Sequence, residues 1–228
     1  MSPFPAKFCH LNSNGDHVPH DYGNTFFAQP CGNYQRLVIG PSSGHVELLT
    51  ALAAEFATQQ FYVLYVLLLS HSGNLPGRYQ SPPVQSLPEL QTFLNEFGSF
   101  IENDGRHHLW VGSIDGSSML VYDQHNVIFV YGSLPKYQAI LEARGYTKHE
   151  FWFPTPHSHS HSPGNADTED RLLAYFPSCL VDLESVGGWK IHRDRNALPR
   201  VHRKHSLARS VDSSNAIGGP SWPRSRAA

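Results

Sequence analysis

The sequence predicts an α+β fold, a mixed sheet with helices packed on it. Three observations predict it. Short apolar runs rich in β-branched and aromatic residues recur along the chain. Stretches with apolar residues at i, i+3, i+4 and i+7 alternate with them. The resulting order is β-α-β-α-β-β-β-α-β-α, which needs strands and helices in one packed unit rather than in separate halves.

Taken in order, "RLVIG" reads as a short strand that "PSSG" breaks. "HVELLTALAAEFA" places Leu48, Leu49, Leu52, Ala53 and Phe56 on one helical face. "FYVLYVLLL", Phe61 to Leu69, shows no polar alternation, as expected of a strand covered on both faces. Strand, helix and strand predict a right-handed parallel crossover. "SHSGNLPGRYQSPPVQ" reads as a loop. Ser86 and Glu89 fit a capping box, with Pro88 in the first turn. Leu90, Phe93, Leu94, Phe97, Phe100 and Ile101 carry that helix to "ENDG". "HHLWVGS", "SMLVY" and "VIFVYG" predict a three-strand antiparallel meander. Ser133 and Gly145 bracket a further helix. "HEFWFP" reads as a last strand, and "DTEDRLLAYFP" as a short helix stopped by Pro177.

The expected organisation is an irregular or flexible segment over 1–33, a single mixed domain over 34–177, and a disordered tail over 178–228. Charge divides along the same line. Residues 1–177 carry 8 Lys+Arg against 15 Asp+Glu, a net −7, and residues 178–228 carry 9 against 4, a net +5. The tail clusters Arg193, Arg195, Arg200, Arg203, Lys204 and Arg209, enough for contact with nucleic-acid phosphates. Aromatic interleaving is sparse there, so a solvated tail is the competing reading. The three cysteines, Cys9, Cys31 and Cys179, form no CxxC pair, which argues against a disulfide framework or a cysteine zinc site. The N-terminus has no apolar signal region, and nine apolar residues are too few to cross a bilayer, which takes about 20. The expectation is a cytoplasmic protein with no membrane partner.

Three polar clusters are candidate sites. Asp123-Gln124-His125-Asn126 separates two meander strands. Asp123 and Asn126 are ordinary turn formers, while Asp123 and His125 together offer an acid–base or metal-ligand pair. His107 and His108 begin the first meander strand, whose start lies beside that turn by topology, and adjacent strand residues face opposite ways. At most one of the two then faces His125. His157, His159 and His161 alternate with serine, so an extended segment would align all three imidazoles. Two such histidines with a carboxylate as third ligand, from Asp123, Asp167 or Glu169, would suit zinc or another transition metal. An exposed loop without a bound metal is the competing reading, and no HExxH motif is present.

"IGPSSGH" lacks both GxxxxGK[ST] and GxGxxG, which leaves it a plain strand-to-helix turn, and no cofactor site is expected. No GxSxG occurs, and Cys31 and Cys179 lie at the margins of the expected domain.

The blocks "GRYQSP", "DGRHHLWV", "YDQHNVIFVYG" and "PTPHSH" occur in one order and together resemble a family of uncharacterised bacterial proteins. The resemblance covers about Arg36 to Pro177. It implies a bacterial, cytoplasmic protein and supplies no activity or catalytic residues.

No complete catalytic signature is visible in the sequence. The expected function is therefore a binding or interaction module, with another protein as partner, in the manner of toxin-neutralising immunity proteins. The alternatives are a metal-dependent hydrolase with His157, His159 and a third ligand such as Asp123 or His125, and nucleic-acid contact through the tail.

Overall fold

The computed structural model describes residues 6–70, 72–176 and 179–180. The fold is α+β. A three-stranded antiparallel sheet is built from β1 (Phe8–Leu11), β2 (His17–Pro19) and β11 (His157–His159), in the order β11-β1-β2. A nine-stranded mixed sheet contains β3 (Thr25–Cys31), β4 (Tyr34–Gly40), β5 (Phe61–Leu67), β6 (Gly77–Gln80), β7 (His107–Ser113), β8 (Met119–Tyr122), β9 (Ile128–Tyr131), β10 (Thr147–Lys148) and β12 (Cys179–Leu180). Its order is β10-β3-β4-β9-β8-β7-β5-β6-β12, and the β10–β3 pair is parallel among antiparallel neighbours. The helices are α1 (His45–Ala53), α2 (Leu87–Asn103), α3 (Leu134–Ala143) and α4 (Ala166–Tyr175). Among the described residues no helix is long and apolar enough to cross a membrane.

Alternation of side chains across the large sheet makes two cores. Leu37, Ile39, Phe61, Val63, Leu109, Val111, Leu120, Ile128 and Val130 face the helices and pack on Leu49, Leu52, Leu90, Phe93, Leu94, Phe97 and Ile101. Val38 and Val127 point the other way and meet Phe8 and Tyr22, with Phe27, Phe129 and Phe151 around them. The helical spacing in "SLPELQTFLNEF" is thus the footprint of one buried stripe. Ser86 caps α2 by accepting from the Glu89 amide at 3.3 Å, and Glu89 returns a bond to the Gln85 amide. The meander β7-β8-β9 forms as expected.

Several expectations need correction. Residues 1–33 are not simply an irregular lead-in: β1, β2 and β3 lie within them. Phe8 and Phe26, both fully buried, supply the apolar driving force. The "GRYQ" stretch, read as loop, pairs with β5 as β6. β4 and β5 are parallel but not adjacent, because the meander enters between them. "HEFWFP" is no strand: after β10 the chain leaves the sheet edge, and residues 149–154 have no regular structure. Cys179–Leu180 pairs with β6, so the sheet reaches past the expected boundary at residue 177. The rest of the expected basic tail lies outside the described residues.

One buried polar cluster ties α4 to the sheet. Arg106 makes a two-pronged bond to Asp104, at 2.9 and 2.7 Å, and its third nitrogen lies 3.5 Å from Glu169 of α4. All three side chains are almost wholly buried. Glu169 also accepts from Ser70, Ser72 and Asn74, and Asn165 donates to Asp104. Removing one member of such a set leaves a buried charge uncompensated. Glu169→Ala is expected to lower the unfolding free energy by about 3–5 kcal/mol, against about 1 kcal/mol for Ser72→Ala, measured by urea denaturation. Equal, small effects would contradict the clamp.

Candidate metal centre

The site forms where the three-stranded sheet meets the far end of the meander. The turn Asp123-Gln124-His125-Asn126 joins β8 to β9, as its turn chemistry predicts. The Asp123 amide donates to the Val127 carbonyl at 3.0 Å. Asp123 Oδ1 accepts from the His125 and Val127 amides at 2.8 and 3.2 Å. Asn126 sits at φ 61, the left-handed region that asparagine tolerates, and its Oδ1 accepts from the Tyr122 hydroxyl at 2.7 Å. Asn126 is therefore a shaping residue.

The same turn also builds a site. Asp123 Oδ2 lies 2.8 Å from His125 Nδ1. His159 Nδ1 lies 3.1 Å from the Gln124 carbonyl, and His157 Nδ1 lies 2.8 Å from the Pro154 carbonyl. Carbonyl and carboxylate oxygens only accept, so each Nδ1 carries the hydrogen and each Nε2 keeps its lone pair. His125, His157 and His159 each offer a ligand nitrogen, and these lie within 4.8 Å of one another. A tetrahedral zinc with nitrogens at about 2.0–2.1 Å holds them roughly 3.3–3.4 Å apart, inside the 4.8 Å limit that bounds the set.

The strands place these rings by register. His159 pairs with Phe8, and His157 with His10, across β11 and β1. Paired residues of antiparallel strands share a face, so Phe8 forms the floor. Its ring lies 5.3 Å from His125, 5.3 Å from His157 and 5.4 Å from His159. Gly105 seats the end of β11. Its amide donates to the Ser160 carbonyl at 2.9 Å, and a side chain there would come within 2.9 Å of the His159 Cβ.

Of the residues singled out in the sequence, Asp123, His125, His157 and His159 come together. His108 faces away from the His107 side of β7, and burial pushes it down to about 4, partly opposed by the Asp123 charge. His107 does not join them. It points into the core between the rings of Tyr65 and Phe100, at 5.1 and 4.9 Å. His161 is also outside the set, because β11 ends at His159 and Ser162 caps a short turn over Pro163–Asn165. The sequence reading passed over Lys7, Phe8, His10, His20 and Phe153. Period-two spacing in "KFCHL" was the available signal for the first of these.

Burial first, then the neighbouring His125 and His157, push His159 down to about 4, which favours the neutral, ligating imidazole. Burial pushes the Asp123 carboxyl up, but the His125 hydrogen bond and the charges of His125, His108 and Lys7 outweigh it, and the group ends below its ordinary value. Beneath the turn, Lys7 is buried with Nζ 3.8 Å above the Tyr122 ring and bonded to the Ile101 carbonyl at 3.1 Å. Burial lowers it to about 7. His45 packs on the other side of this region, 5.2 Å from the Tyr122 ring, and burial lowers it to about 4, with the Lys7 charge adding to the effect.

No protein-family model, curated protein or solved structure matches the chain.

Lys7, His45, His108 and His159 each bind fewer protons folded than unfolded, so each contributes stability that is lost as pH falls. For His45 the window runs from pH 6.5 down to about 4, and for Lys7 from 10.5 down to about 7. Stability measured by urea denaturation is expected to rise with pH across each window. His45→Phe lowers the slope of the acid limb, where His108 and His159 also contribute, and Lys7→Met flattens the neutral-to-basic one. Unchanged slopes in both variants would contradict burial of the neutral forms.

Proposed function

We propose that the protein is a metal-dependent hydrolase whose zinc-type ion is held by His125, His157 and His159. One observation carries the reading: His125, His157 and His159 bring one ring nitrogen each to within 4.8 Å of the others, and each Nδ1 is tied to an oxygen acceptor that leaves Nε2 as the ligating atom. Orienting acceptors behind metal-binding histidines fix the tautomer and raise ligand basicity. Three neutral nitrogens leave the ion's charge uncancelled and one tetrahedral position open, the ligand count of catalytic zinc rather than of closed structural sites. When bound, such an ion polarises a carbonyl or phosphoryl oxygen and brings the pKa of water to near neutrality. In this reading Asp123 and the Gln124 and Pro154 carbonyls are positioning groups. The lone pairs were hidden from the sequence because the turn and the His-Ser repeat are far apart in the chain. That separation is also why the sequence, lacking a compact signature, favoured a binding module.

The test is metal content of untagged protein purified without a metal column, with a hydrolysis screen on the loaded form. Wild type is expected to hold one equivalent of zinc or a neighbouring transition metal, and His157→Ala/His159→Ala to hold none. Absence of metal in the wild type would overturn the reading. Asp123→Asn keeps the turn bonds at Oδ1 and weakens the orienting bond. It is expected to lower zinc affinity by about 10–100-fold, read by competition with a chelator. Unchanged affinity would show that Asp123 serves the turn alone.

A further inference from the structure

Residues 149–154, expected as a strand, run beside the histidines instead and display two aromatic side chains. The segment is pinned at both ends. Phe151 tucks in against Tyr22 and Phe27, at ring separations of 4.5 and 5.3 Å, and the Pro154 carbonyl holds His157. Between these anchors Trp152 is 72% exposed and Phe153 41% exposed. Phe153 lies over His125, with ring centroids 4.6 Å apart. Large aromatics left in water gain nothing for folding and supply rigid apolar contact area to a ligand. Net charge selects among hydrolase substrates: residues 1–177 sum to −7, a field that disfavours anionic phosphate esters over neutral ones.

From this, and resting on the metal-centre reading above, we infer that Trp152 and Phe153 bind the apolar group of a neutral carboxylic ester. The substrate class is esters with an aromatic or extended apolar acyl part, whose carbonyl sits over the three histidines. In the reaction the oxygen of water bonds to the acyl carbon and the bond from that carbon to the alkoxy oxygen breaks. One water proton passes to the departing alcohol and the other is released with the carboxylate product.

Zinc-loaded protein titrated with acetohydroxamate and 3-phenylpropionohydroxamate, two probes that bind zinc alike and differ in the apolar arm, tests this. The phenyl compound is expected to bind at least about tenfold tighter. Trp152→Ala, a change at an exposed position, is expected to erase the difference and leave zinc content and acetohydroxamate affinity as in the wild type. Equal binding of the two probes by zinc-loaded wild type, or a preference that survives Trp152→Ala, overturns the inference and leaves the metal centre standing. A wild type that retains no zinc overturns the metal centre and this inference with it.

Discussion

The carboxylate of Asp123 is the constraint on which the rest of the site depends. One oxygen closes the β8–β9 turn by accepting two backbone amides, and the other faces His125 Nδ1. Turn and orienting group are thus one side chain. The turn it closes also presents the Gln124 carbonyl to His159. A hairpin tip of four residues therefore supplies one imidazole, the group that orients it, and the acceptor that orients a second. The third imidazole, His157, comes from the same short strand as His159 and is set by the carbonyl of Pro154.

That arrangement needs a rigid support, and the small three-stranded sheet provides it. Phe8, fully buried, lies under all three rings and belongs at the same time to the second apolar core with Tyr22, Val38 and Val127. Gly105 lets the end of β11 approach the α2–β7 connection closely, and the Asp104–Arg106–Glu169 cluster fixes that connection from the other side. The buried histidines and Lys7 share a common electrostatic logic. Desolvation favours the neutral forms of the buried histidines and lowers Lys7 to about 7.

Much of the fold was legible because its helices and meander obey simple periods. The stripe from Leu90 to Ile101 and the runs "HHLWVGS" and "VIFVYG" each bury one face, "SMLVY" is buried on both, and pattern follows burial. The first three strands were not legible. β1 and β2 are short, lie in the small sheet, and carry single anchors such as Phe8 among polar and histidine neighbours, while β3 holds Phe26 and Phe27 in a stretch that runs on through Gln29 and Pro30 and shows no alternation. "HEFWFP" misled for the opposite reason, since its apolar content is partly on display rather than buried. Of the site, the chemistry of each histidine was legible and the set was not. His107 and His108 are indistinguishable until sheet polarity is known, and His161 looks like His157 until the strand ends.

Zinc K-edge X-ray absorption of the loaded protein tests the central claim most directly. The arrangement predicts three imidazole nitrogens at about 2.0–2.1 Å with one further light ligand, and loss of one imidazole in His125→Ala. A shell dominated by carboxylate oxygens, or one unchanged in that variant, would contradict it.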